Sequence, residues 1–249
     1  MGFFDLFKGS KNKPVEEKRA TAAAKWADVA RDKRAQNYDR QEALVALGGM
    51  ETAEAAAALL RRFDFHMDPS ITDQEEKQIA FEGVIAAGQD AVEPVRAYAV
   101  KAASLAWPMK ILTELLEEGV YVEELVSWLD KWDTEYAKFV DPKIQLLVAL
   151  EDHKNPLIRA AVEPFLEDVN ETARFHAAAT TFAQDDPEAT LPLLHALGEE
   201  ESIRVKNKIA EGFLTRGWVV PEDQREATRK VLPPGYTVDG EGKLRKRSD

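Results

Sequence analysis

The chain has four histidines, His66, His153, His176 and His195, and no cysteine, so thiolate nucleophiles, disulfides and cysteine-based zinc sites are absent from its chemistry. The stretch DFHMDP sets Asp64, His66 and Asp68 close together, a donor set that could hold a divalent ion. A polar turn between helices is the simpler reading. No two histidines fall four apart, so no helical pair of imidazoles can share a metal. The Gly-x-Ser-x-Gly elbow of serine hydrolases does not occur. Glycines such as Gly48, Gly49, Gly88, Gly119 and Gly198 fall where helices are expected to end, and not in a phosphate-cradling loop. The run Glu199-Glu200-Glu201 suits a solvated turn at the start of a helix. No catalytic set, metal site or cofactor site is expected.

Binding is the better class. Arginine and aromatic side chains anchor protein interfaces, and two groups of them stand out. Arg61 and Arg62 close one helix, and Arg96 and Tyr98 lie on the next of its kind. In VYVEELVSWLDKW, Val122, Leu125, Val126 and Leu129 already supply a buried stripe. Tyr121, Trp128 and Trp132 are then surplus to packing and are candidate partner contacts.

These residues sit on a chain that reads as helix almost throughout. In NETARFHAAATTFAQ, Phe175, Ala178, Ala179 and Phe182 recur at three- and four-residue steps behind the N-cap residue Asn170. Asp141-Pro142, Asn155-Pro156 and Asp186-Pro187 are cap-plus-proline starts, and Thr72 with Glu75 forms a capping box. First helices are expected near Asp39, Thr72, Ser104, Asp141, Asn170 and Ser202. Second helices are expected near Met50, Asp90, Tyr121, Asn155, Asp186 and Val220. The spacing averages about 33 residues, the range of repeat arrays. NETAR at 170–174 echoes EESIR at 200–204, which sets Arg174 and Arg204 at matching points, as ion-pair partners between helix pairs.

DDPEATLPLLHALGEEESIR, QDAVEPVRAYAV and NPLIRAAVEPFLEDV resemble HEAT repeats, in particular the bilin-lyase-like bacterial variety. The resemblance covers about residues 37–232. It implies an all-α fold: an α-solenoid of about six HEAT-like helical hairpins, with second helices lining a concave side that holds another protein. The paired His-Glu dipeptides that mark HEAT-like iron hydroxylases do not occur here. Residues 16–36 read as a capping helix anchored by Trp26, and residues 233–249 as a tail or a small hairpin turning at Asp239-Gly240.

The first 15 residues stand apart, as an amphipathic peptide. MGFFDLFKG places Phe3, Phe4, Leu6 and Phe7 ahead of Lys8, Lys11 and Lys13. The apolar run is broken by Asp5 and is too short for a secretion signal. Of the functional readings a docking peptide is favoured over a weak membrane-surface contact, and a terminus tucked onto the first helices is the structural alternative. The net charge is −12, with about +2 at either end and about −16 on the body between, which argues against nucleic acid as a partner. The expectation is a cytoplasmic, non-catalytic scaffold or adaptor for protein partners, peripheral to a membrane or a larger assembly. A HEAT-like enzyme or enzyme subunit, of chromophore-lyase or DNA-glycosylase type, is the alternative.

Overall fold

The computed structural model describes residues 23–247. Among them are thirteen α-helices and a two-stranded sheet, so the fold class is all-α. The chain divides into two compact units, Met1–Glu117 and Glu118–Asp249.

In the first unit, residues 23–30 are helical (α1), followed by α2 (Asn37–Gly48), α3 (Ala53–Leu60), α4 (Ser70–Ala86), α5 (Val92–Ala99) and α6 (Ala106–Leu115). Alternate helices pack together: α2 on α4, α4 on α6, and α3 on α5. The apolar stripes dictate this pairing. Ala43, Leu44 and Leu47 of α2 face Ala80 and Val84 of α4 in the core, all fully buried. Gly48 and Gly83 let the two backbones touch, since a Cβ on Gly83 would lie 2.9 Å from Gly48 Cα and 2.8 Å from Leu59. Two expectations change here. The helix α4 begins at Ser70 behind Pro69, so Thr72 lies inside its first turn and forms no capping box. In α1, Ala23 and Ala30 are buried and Trp26 is half-buried, but the helix ends at Ala30 and residues 31–36 form turns and irregular chain.

The second unit contains α7 (Glu118–Leu129), α8 (Asp141–Glu151), α9 (Pro156–Val162), α10 (Glu171–Gln184), α11 (Thr190–Glu199), α12 (Ile203–Arg216), α13 (Arg225–Val231), β1 (Tyr236–Val238) and β2 (Leu244–Lys246). Here α8 packs on α10 and α10 on α12, while α7 packs on α9 and α11 on α13. The caps act as their residue types require: Asn155, Asn170, Asp186 and Ser202 each accept a backbone N–H of the turn that follows. Gly198 stops nothing, because α11 runs through it to Glu199. Gly212 is needed for a close approach. A Cβ there would fall 2.2 Å from the ring of Phe182, which meets Phe213 and Trp218 at 5.6 and 5.4 Å.

The end of the chain is a hairpin, with Thr237 opposite Arg245. It is pinned to α13, whose Arg225 and Arg229 donate to the carbonyls of Gly240 and Val238 at 2.9 and 3.0 Å. No helix among the described residues is long and apolar enough to cross a membrane.

Candidate interaction surface

The expected contact residues separate into buried and exposed sets. Arg62 has no exposed surface, and Tyr121 and Trp128 keep only 5% each, so these three belong to the core and are withdrawn as partner contacts. The helix of Tyr121 and Trp128 carries a second packed face that the stripe of Val122, Leu125 and Leu129 did not reveal. Trp132 is half-buried just beyond α7. The first unit brings Arg61 and Tyr98 together at Asp64. Arg61 pairs with Asp64 at 3.0 Å, and the Tyr98 phenol bonds to the same carboxylate; burial, reinforced by that charge, pushes its pKa up. Arg96 pairs with Glu93 at 2.6 Å. Phe3, Phe4, Leu6 and Phe7 lie outside the described residues.

Arg62 instead centres an ion network. Its Nε lies 2.7 Å from Glu76 and its Nη2 2.8 Å from Asp73. Arg40 reaches Glu76 from α2 at 2.8 Å and also donates to the carbonyl of Ala35. Asp73 further accepts from Lys77 at 2.8 Å and from the Met67 backbone at 3.0 Å. Burial pushes the Asp73 carboxyl up, but the hydrogen bonds and charges of Lys77 and Arg62 outweigh it and hold it well below the usual range. His66 points its Nδ1 at Asp73, 2.9 Å away, and lies 3.9 Å from Asp68. Asp64 is engaged elsewhere, so the DFHMDP stretch does not converge on a common point. Among the described residues no group of three or more His, Asp or Glu is arranged to hold a metal ion.

A simpler ladder runs through the second unit. Lys143, at the start of α8, meets Asp168 at 2.5 Å, both fully buried. Arg174, in the first turn of α10, meets Glu200 at 2.7 Å and donates to the carbonyl of Asp168 at 2.8 Å. Each acid also receives the backbone N–H at the start of the next helix: Asp168 from Asn170, Glu200 from Ser202. Burial opposes the charge of Glu200, but Arg174 and the Ser202 and Glu201 amides prevail and lower its pKa. Arg174 stands four residues past its cap and Arg204 two, so the two arginines do not occupy matching points. Arg204 lies over the Phe175 ring at 3.9 Å and within 3.5 Å of Glu171.

With its buried charges paired in this way, the second unit keeps one edge open. The connection from α7 to α8, residues 130–140, holds Tyr136 at 83% exposure and Phe139 at 66%. Its base is fixed where Lys143 and the Val169 N–H donate to the carbonyls of Asp133 and Thr134 at 3.1 and 3.0 Å. Val169 lines a cavity of about 560 Å³ between the turn before α10 and the end of α11. Leu166, Ala196, Arg174 and five carboxylates complete that wall. A second cavity of about 360 Å³ opens between α11 and α13, walled by Leu191, Leu194, Ala227 and Val231 together with Gln224 and Thr228. His195 and Glu199, one helical turn apart on α11, border both. Both volumes fall in the range of ligand-sized pockets.

Periodicity pointed away from Tyr136 and Phe139 because they belong to no helix. The length of that connection, the longest between consecutive helices of its unit, is the signal that marks them. Comparison with protein-family models, curated proteins and solved structures finds no match for this chain.

Proposed function

We propose that this chain is a non-catalytic scaffold or adaptor, a HEAT-like α-solenoid that holds partner proteins. The pairing of alternate helices within each unit supports the solenoid reading, because a helical hairpin that cannot bury its apolar face alone is completed by its neighbours. One observation carries the binding assignment. At one edge of the second unit, exposed Tyr136 and Phe139 extend from a loop tied to the wall of a large cavity, on a frame whose ion pairs are already satisfied. Aromatic side chains held out on a rigid base are what interface anchors require. In this reading the protein works in the cytoplasm, and Phe3, Phe4, Leu6 and Phe7 form a separate docking element that attaches it to an assembly or a membrane surface.

The test is affinity capture from native lysate with the full chain, a Tyr136→Ala/Phe139→Ala variant and a variant lacking residues 2–13. A defined protein captured by the full chain and lost with the double variant supports the assignment. Capture lost only with the deletion moves the binding function to the opening peptide. A metal- or cofactor-dependent turnover by the purified chain overturns the scaffold reading.

A further inference from the structure

We infer that the exposed ridge of α11, with a cavity on either side, takes a peptide segment whose apolar side chains stand beside lysine or arginine. This rests on the scaffold reading and specifies the partner at the same edge. Each half of the assignment has its own basis.

The apolar contacts would come from the slot between α11 and α13, whose mixed wall also carries Gln224 and Thr228. Leu191 is 57% exposed there, and Leu194, Ala227 and Val231 share the wall, Leu194 buried and Ala227 exposed. A slot of about 360 Å³ suits one or two large aliphatic or aromatic side chains. The charged half lies across the ridge. Of the five carboxylates on the larger cavity, Asp168 is neutralised by Lys143 and Glu200 by Arg174. Glu167 faces His195 at 3.3 Å. Glu199 and Glu201 are exposed and have no ion pair among the described residues. A cation laid against them meets uncompensated negative charge without displacing an existing partner, whereas an acidic segment would be repelled. Because Glu199 borders both cavities, one short segment can fill the slot and reach the acids together.

The experiment measures fluorescence anisotropy of a short labelled leucine–lysine peptide with the full chain, against the same peptide with glutamate in place of lysine. The lysine peptide is expected to bind at least about tenfold more tightly, the difference shrinking as salt rises. Glu199→Lys/Glu201→Lys is expected to weaken it about tenfold, since two reversed surface charges each act through a modest pair energy. Leu191→Asp should weaken it as well. Glu42→Lys/Glu54→Lys makes the same change in net charge on exposed positions of the first unit and should leave binding unchanged. Equal binding of the two peptides, or equal weakening by the two double variants, would show mere attraction to an acidic surface and overturn the inference. Tighter binding once residues 2–13 are removed would identify the chain's own opening segment as the occupant and overturn the partner assignment. Failure of the peptide to bind, while the lysate partner is still captured through Tyr136 and Phe139, overturns this inference and leaves the scaffold reading intact.

Discussion

Arg62 and Glu76 lie 2.7 Å apart with neither side chain exposed, and Arg40 approaches the same carboxylate from another helix. The pair ties the turn after α3 to α4 through charge in a site where aliphatic packing would ordinarily serve. Such pairs contribute modestly when whole, because desolvation offsets attraction, but breaking one strands a buried charge.

Arg62→Ala and Glu76→Ala are therefore each expected to cost about 3–5 kcal/mol of folding stability. The double change should cost much less than the sum of the two, the signature of a coupled pair. Urea denaturation followed by far-UV circular dichroism reads both. A cost below 1 kcal/mol for either single variant would contradict the buried geometry.

Acid should destabilise the protein through Asp73 and Glu200. Both carboxyls are held below their ordinary values in the folded state, so both favour the unfolded chain as it takes up protons. Their contribution is fully present above the ordinary carboxylate range and is lost as pH falls through that range and below it. Thermal melts between pH 7 and pH 3 should show a falling midpoint, and Asp73→Asn should start lower and fall less steeply.

Gly212→Ala is expected to destabilise by about 1–3 kcal/mol, because the added Cβ would meet the Phe182 ring at 2.2 Å. Near-UV circular dichroism should change with it, since Phe182 packs on Phe213 and Trp218. Gly198→Ala, at an open position within α11, should be neutral or slightly stabilising.

Tyr136→Ala/Phe139→Ala should leave the melting temperature within about 2 °C of the parent, because both side chains are exposed. Partner capture should nonetheless fall. A large loss of stability would mean that the loop packs as part of the core and offers no anchor.

The Tyr236 phenol is pushed up to about 12, first by burial and then by the Glu211 carboxylate that accepts its hydrogen bond at 2.6 Å. Ultraviolet titration should find this tyrosine ionising late, and Glu211→Gln should bring it down. No downward movement would remove the Glu211 contact.

The sequence by itself determined where some of the helices start, though not α4, which begins at Ser70, nor the cap of α8, which is Val140 and not Asp141. Asn155, Asn170, Asp186 and Ser202 satisfy orphan N–H groups of their own next turn, and a proline after a cap fixes the first dihedral, so these signals act within a few residues. At Asp239-Gly240 the sequence allowed a hairpin or a tail, and the structure has the hairpin. The tertiary structure alone decided which side chains those helices bury. Arg62 and Lys143 carry charges that a sequence assigns to the surface, and they are buried because Glu76, Asp73 and Asp168 arrive from elements 11 to 25 residues away to pair with them. Tyr121 and Trp128 read as surplus until their helix gains a second neighbour, and Tyr136 and Phe139 read as unremarkable loop until the chain on either side is fixed and leaves them in solvent. Helical periodicity names the first face a helix buries; a second face depends on which other helices pack against it.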